Sequence, residues 1–169
     1  QHHTNNSWAH LLATPGVQMM KMTGMSNSRF YDALSRSSKR KPIFWSSAQG
    51  PSSHERELIL GSNLRKELKG LDGWSSIEPL WNRFQSKAWD KSALNWMSFT
   101  ELSLRIPELL LMRVDKMSMG ASLEARVPFL DHEFVELALS IPESIKMKNN
   151  ESKHVLKQSM RGRLPENII

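Results

Sequence analysis

The sequence predicts a mainly α fold. Apolar residues recur at three- and four-residue spacing along most of the chain, and two segments open on the Ser-x-x-Glu pattern that starts helices. No stretch alternates apolar and polar residues as a half-buried strand does, and no internal repeat is present. Residues 1–169 read as a single partial domain.

Residues 1–28 are rich in His, Asn, Ser, Thr, Gly and Met without a sustained period, which predicts loop and one short helix. The basic run SRSSKRK at 35–41 reads as a solvated loop. In SSHERELILGSNLRKEL, Ser52 stands three residues before Glu55, the capping-box spacing, and Leu58, Ile59 and Leu64 form a helical stripe. Gly70 and Gly73 end that helix. SSIEPLWNRFQSKAW repeats the start with Ser75 and Glu78, and Leu80, Trp81 and Phe84 recur at helical spacing. A third helix is expected from about Ser92 to Arg105. Pro107 suits the first turn of a new helix, where its missing N–H costs nothing, and that helix runs to Met119. Asp131 can cap HEFVELALS, which places Phe134, Val135, Leu137 and Ala138 on its inner face and is closed by Pro142. A last short helix spans about Ser152 to Met160.

Composition excludes several function classes. With 39% hydrophobic and 24% charged residues over 169 positions, the chain can bury a real core, which argues against disorder. There is no cysteine, hence no disulfide, thiolate metal site or cysteine nucleophile; this fits a reducing, cytoplasmic setting. No apolar run approaches the roughly 20 residues that span a bilayer, so no membrane partner is expected. The net charge of +6 is uneven: residues 101–143 carry −4 and the remainder +10. Nothing resembles a recognition helix, a zinc finger or an aromatic stacking sheet, so nucleic acid is not an expected partner. The eight glycines are scattered, without a phosphate-cradling loop, so no cofactor-binding residue is assigned within the chain. The six histidines show no paired metal spacing, with His2, His3 and His10 read as surface residues, and no metal site is assigned. Six tryptophans and ten methionines read as core filling. The chain opens at Gln1 without a methionine and closes on LPENII, which reads as a piece of something longer.

The positive signal lies between Pro107 and Met119. At 100° per residue, Glu108 and Asp115 fall within about 20° of each other and share a face with Leu111, Met112 and Met119. Arg113 and Lys116 lie to one side, and Leu110, Val114 and Met117 occupy the other, so the helix reads as apolar nearly all round and buried. Periodicity leaves two readings open: a salt-bridged buried helix with Asp115 paired to a base from elsewhere, or a cleft wall with poised carboxylates. Further on, Pro128 holds Val127 extended, so Glu124 and Arg126 leave the helix into a tight corner before Asp131.

RVDKMSMGASLEARVPFLDHEFVE closely resembles the C-terminal part of the synthetase domain of glutamine-dependent asparagine synthetases, and SKHVLKQSMRGRLPENI resembles the segment that follows it. RIPELLLMRVDK resembles the family's Leu-Pro-Asp-x-Leu-Leu-x-x-x-Asp-Arg/Lys helix, with Ile106 and Glu108 as departures, and IFWSSAQ at 43–49 is loosely similar to its Phe-Trp-Gly-Gly linker. The resemblance is specific over 104–168. It implies the helical C-terminal half of an α/β, adenine-nucleotide-hydrolase-like (ATP-pyrophosphatase) domain. It also implies an amidoligase that uses ATP and Mg²⁺ to convert aspartate to asparagine through β-aspartyl-AMP, with ammonia drawn from glutamine by an N-terminal glutaminase domain. The family's Ser-Gly-Gly-x-Asp-Ser loop, its Gly-Glu-Gly-Ser/Ala-Asp-Glu loop and its cysteine are absent here. The resemblance makes Glu108 and Asp115 the candidate catalytic acids on the cleft helix. Arg113, Lys116, Glu124, Arg126 and Asp131 become candidates for substrate contact or for supporting positions, and Lys153 and Lys157 match a helix start. Two alternatives stand beside it: a noncatalytic helical interaction module, and a related amide-forming cyclase on the same scaffold.

Overall fold

A computed structural model describes residues 7–46, 51–70 and 72–169. Among these residues the secondary structure is helical, joined only by two isolated bridges, Lys148 to Glu151 and Arg161 to Leu164. The mainly α expectation holds.

The N-terminal region is more helical than its polar composition suggests. Helix α1 spans Ser7–Met22, where strong helix formers continue on both sides of Pro15. It packs on α2, Arg29–Ser38, and buries Ala13 and Met20, so tertiary packing supplies what the local pattern lacks. Ser28 caps α2 by accepting from the Tyr31 N–H at 3.1 Å. The basic run is therefore only partly loop, since its serines complete the last turn of α2. That turn closes as a Schellman motif: Lys41 N–H donates to Arg36 O at 2.9 Å, Arg40 N–H to Ser37 O at 3.0 Å, and Arg40 is left-handed at φ 55°.

The capping box at Ser52 and Glu55 forms as its spacing predicts, with bonds of 3.2 and 2.7 Å in the two directions. The single helix expected after it does not. The chain divides into α3, Ser53–Ile59, and α4, Ser62–Glu67, because Leu60 turns extended and Gly61 weakly supports a helix interior. Leu58, Ile59 and Leu64 are 69%, 74% and 46% exposed, so their stripe has no cover among the described residues.

Helix α5, Trp74–Lys87, starts two residues earlier than a cap at Ser75 would set it, and Asp72 is the residue that holds its start. Asp72 Oδ1 accepts from the Trp74 N–H at 3.1 Å, while the Ser75 hydroxyl turns back to the Asp72 carbonyl at 3.0 Å. The next rod runs from α6, Ala93–Thr100, through a wide-turned π segment, Glu101–Leu111, into α7, Met112–Gly120. The break expected at Pro107 is thus overturned. Wide turns of i to i+5 bonding, such as Met112 N–H to Pro107 O, leave room for the proline ring and absorb its missing donor.

The main core lies between α5 and α6. Ile77, Phe84 and Trp96 are buried, with Phe44, Trp45, Trp81, Phe99 and Leu104 packed around them. Trp81 meets Trp96 edge-on, with centroids 4.9 Å apart and planes at 88°, the arrangement that aromatic quadrupoles favour. The core-filling expectation holds for these tryptophans but not for Trp89, which is exposed, nor for most methionines, of which Met20 alone is buried among the described residues.

After α7 the chain turns through a short 3-10 segment, Pro128–Leu130, into α8, His132–Ser140, α9, Glu143–Lys146, and α10, His154–Met160. Lys146 anchors this end to the core. Its Nζ donates to Asn95 Oδ1 at 2.6 Å and Leu139 O at 3.3 Å, and Asn95 in turn donates to Asp90 Oδ2 at 3.0 Å. Burial lowers the Lys146 pKa, against the opposing charges of Asp90 and Glu143. On α8, Val135 and Ala138 are half-buried, whereas Phe134 and Leu137 stay exposed along an apolar groove shared with Phe129. The inner face expected there is covered only in part.

Candidate functional site

The rod from α6 to α7 separates the two candidate acids. Glu108 lies in the π segment, exposed, on the wall of a cleft of about 880 Å³. The cleft is bounded by α2 and its C-terminal turn, the start of α3, the start of α5 and the π segment. Asp115, two turns further on, does not line it. Asp115 is exposed, and its side chain has no hydrogen-bond or ion-pair partner among the described residues. Arg113 and Lys116 are exposed beside it. The buried, ion-paired helix expected from periodicity is therefore not what this chain forms. Val114 and Met117 on one side of α7 and Met119 on the other are 44%, 77% and 57% exposed, because no described element covers them.

The following corner keeps its expected chemistry. Helix α7 ends in a second Schellman motif, with Leu123 N–H on Ser118 O at 2.9 Å, Ser122 N–H on Met119 O at 3.0 Å, and Ser122 left-handed at φ 57°. Glu124 and Arg126 then pair at 3.0 Å, both largely exposed. Asp131 caps α8 by accepting from Glu133 N–H at 3.0 Å and Phe134 N–H at 3.3 Å. These three residues shape the corner and lie outside the cleft.

The cleft itself escapes sequence reasoning. Arg29 and Arg36 of α2, Lys39 and Lys41 of its C-terminal turn, Arg56 of α3 and Arg105 of the π segment meet at one cavity, and only the 35–41 run signalled part of it. Lys41 Nζ pairs with Asp72 Oδ2 at 3.0 Å, and Arg105 Nη1 with Glu101 Oε2 at 3.2 Å. Burial pushes the Asp72 carboxyl up, but the Lys41 bond and charge and the Trp74 N–H together hold it below its ordinary value. The Arg36 guanidinium lies 3.8 Å from the Trp45 ring centroid and donates to Ile43 O at 2.9 Å. Burial lowers its pKa, with Asp32 opposing. Trp45 also packs so close to Gly73 that a Cβ there would sit 3.2 Å from its ring. Two buried nitrogens on cleft residues, Trp45 Nε1 and Arg105 Nε, have no partner among the described residues.

Among the described residues no three His, Asp or Glu side chains converge to hold a metal ion, and no helix is long and apolar enough to cross a membrane. His2 and His3 lie outside the described residues, as do residues 47–49 of the IFWSSAQ stretch; His10 lies in α1.

Comparison with known proteins extends the resemblance over most of the chain. The family model for asparagine synthase matches residues 22–169, so the segment before 104, where the likeness is weak to the eye, falls within it. Over 60 residues the chain is 52% identical to asparagine synthetase (glutamine-hydrolyzing) 3 of Bacillus subtilis (strain 168), which covers 36% of this chain and 10% of that protein. It is 36% identical over 78 residues to asparagine synthetase (glutamine-hydrolyzing) 1 of the same organism, covering 46% and 12% respectively. The asparagine synthetase (glutamine-hydrolyzing) of Gallus gallus is 39% identical over 61 residues, covering 34% of this chain and 11% of that protein. The matched stretches thus span roughly a tenth of the length of these relatives. No solved structure matches the chain.

Proposed function

Since this chain belongs to the asparagine synthase family, we propose that it forms the helical C-terminal part of the synthetase domain of a glutamine-dependent asparagine synthetase, a cytoplasmic ligase. In the complete protein, aspartate is converted to asparagine through β-aspartyl-AMP, with ammonia delivered from glutamine by a separate glutaminase domain. The observation that best supports this reading is the uncovered rod: a helix bearing Glu108 on a cleft wall and the exposed apolar residues Leu110, Val114 and Met117 along another side. A contiguous apolar face of that kind is a surface for another part of a larger domain.

ATP and Mg²⁺ do not fit the described residues. Among the described residues no trio of carboxylates is available for the metal, and the sequence has no glycine-rich loop for the phosphates, so both are assigned to loops outside this chain. Glu108 takes a proton from the attacking ammonia as nitrogen bonds to the activated carboxyl carbon and AMP departs with the electron pair of the broken carbon–oxygen bond, a role for which an exposed carboxylate at a cleft wall is suited. Asp115, exposed beyond the cleft beside Arg113 and Lys116, is left available to another part of the complete protein. Glu124, Arg126 and Asp131 hold the corner that follows.

The test is to supply the complete protein with ATP, Mg²⁺, aspartate and either ammonia or glutamine, and to measure AMP and asparagine. Both nitrogen donors should yield the two products together. AMP without asparagine would mean that aspartate is adenylated and the intermediate hydrolysed, and no AMP at all would favour a related amide-forming cyclase, whose own carboxylate substrate is not supplied, or a noncatalytic helical module. The 169-residue chain alone should be silent, because the phosphate cradle that stabilises transition-state charge lies elsewhere.

A further inference from the structure

The C-terminal helices form a cavity of their own. It measures about 440 Å³ and shares no lining residue with the basic cleft. Helix α8 contributes Phe134, Leu137 and Ala138, α10 contributes Val155 and Leu156, and Phe129 comes from the preceding turn. Nine of the fourteen lining residues are apolar and three are serines, so among the described residues Lys146 and Lys153 are its charged groups and no carboxylate lines it. A concave, mostly apolar site of a few hundred Å³ with a small number of polar groups has the composition of small-molecule sites.

The local fold explains that composition. Asp131 caps α8, and the helical repeat then sets Phe134, Leu137 and Ala138 on one face. Phe129 meets Phe134 edge-on, with centroids 5.5 Å apart. Phe134 and Leu137 nevertheless keep 40% and 60% of their surface exposed, and covering that surface with hydrocarbon is favourable.

The two lysines differ in how their charge is met. Lys146 Nζ donates to Asn95 Oδ1 at 2.6 Å and to Leu139 O at 3.3 Å, and the charges of Asp90 and Glu143 act on it from within the chain. Lys153 is exposed at the head of α10, and its side chain makes no hydrogen bond or ion pair among the described residues. Glu151, two residues away, is already engaged by His154 and Lys157, each at 3.0 Å. One positive charge is thus left unanswered beside an apolar cavity.

We infer that this cavity binds a free amphipathic monoanion of the medium-chain aliphatic carboxylate class. The hydrocarbon body covers Phe134 and Leu137, and the carboxylate accepts from the Lys153 ammonium. One residual cation matches one negative charge; a polyanion would find too few donors, and a neutral hydrocarbon would leave Lys153 unmet. The inference goes beyond the family reading, since neither aspartate nor glutamine has the aliphatic body that this lining favours.

The test is calorimetric titration of the complete protein with decanoate, kept below its micellar concentration, at low salt. Neither ATP nor a nitrogen donor is added, so the outcome does not depend on the family reading. Decanoate should bind more tightly than decanol, which has the same body without the charge. Leu137→Glu, at an exposed helical position, places a like charge in the cavity and should weaken decanoate on the order of tenfold or more. Lys153→Asn suits the left-handed backbone there, φ 59°, and so spares the fold. It should weaken decanoate about two- to fivefold, as for loss of an exposed ion pair, and leave decanol unchanged. Absence of decanoate binding by the wild type, or wild-type affinity in both variants, would overturn the proposal. So would an equal loss for decanoate and decanol in Lys153→Asn, which would make the lysine a packing residue rather than the partner of the anionic head.

Discussion

The indole Nε1 of Trp96 donates to the carbonyl oxygen of Phe44 at 2.7 Å, joining the segment after α2 to the centre of the α5–α6 core. Trp96 is 3% exposed, so no water can replace that bond without opening the core. Trp96→Phe should lower stability by about 1–3 kcal/mol, the usual cost of leaving a buried acceptor unmatched. Chemical denaturation should show a lower midpoint with an unchanged slope.

Ser122 holds a left-handed backbone, φ 57°, at the position where Schellman motifs favour glycine. Ser122→Gly should therefore raise stability, by up to about 1 kcal/mol once the greater freedom of glycine in the unfolded chain is set against the relieved strain. Ser122→Val should lower it. Thermal midpoints of the three proteins decide the matter, and a glycine variant less stable than wild type would count against the turn as the source of strain.

The two candidate acids should respond differently. Glu108→Gln in the complete protein should leave the fold and the glutaminase rate intact and slow amide formation on the order of 10²-fold, as for a lost acid–base group. Full synthetase activity in that variant would remove Glu108 from the chemistry. Asp115 has no side-chain partner among the described residues, so Asp115→Asn should change the stability of the 169-residue chain by less than about 0.5 kcal/mol. A larger loss confined to the complete protein would place its partner outside this chain.

Glu151 accepts from His154 Nδ1 at 3.0 Å and from Lys157 Nζ at 3.0 Å, and these bonds hold its carboxyl below the ordinary value of 4.5. An acid with a depressed folded pKa stabilises the fold fully above its unfolded value, and that contribution is lost as pH falls through the folded one. Stability should accordingly decline with acidification below pH 4.5, and Glu151→Gln should flatten that part of the profile. Denaturation midpoints recorded from pH 6 to about pH 3 compare the two, and parallel curves would exclude Glu151 as the titrating group.

Local rules act within a few residues, and where they suffice the sequence was legible. The Ser52–Glu55 box, the Asp131 cap and the helix at the C-terminal end form where their spacing predicts, because each depends on bonds to backbone two to four positions away. Motif resemblance reaches further: residues 104–168 carry the family's motifs, and the family extends over 22–169. The misses share a cause. Pro107 lies within a continuous rod because wide turns, not a new cap, accommodate its ring. Asp72 displaces Ser75 at the start of α5 while also pairing with Lys41 from 31 residues away.

Helix content, capping and family are therefore properties of the chain as written, since each is encoded by near neighbours or by a contiguous motif. Which apolar faces are covered, and which charges meet, depended on tertiary structure. Periodicity marks α7 as a helix to be buried, but burial requires a partner surface, and none of the described elements supplies one. The basic cleft likewise gathers Arg29, Lys39, Arg56 and Arg105 from four separate places in the sequence. Long-range electrostatics depends on distance in space, and no local pattern of residues carries that distance.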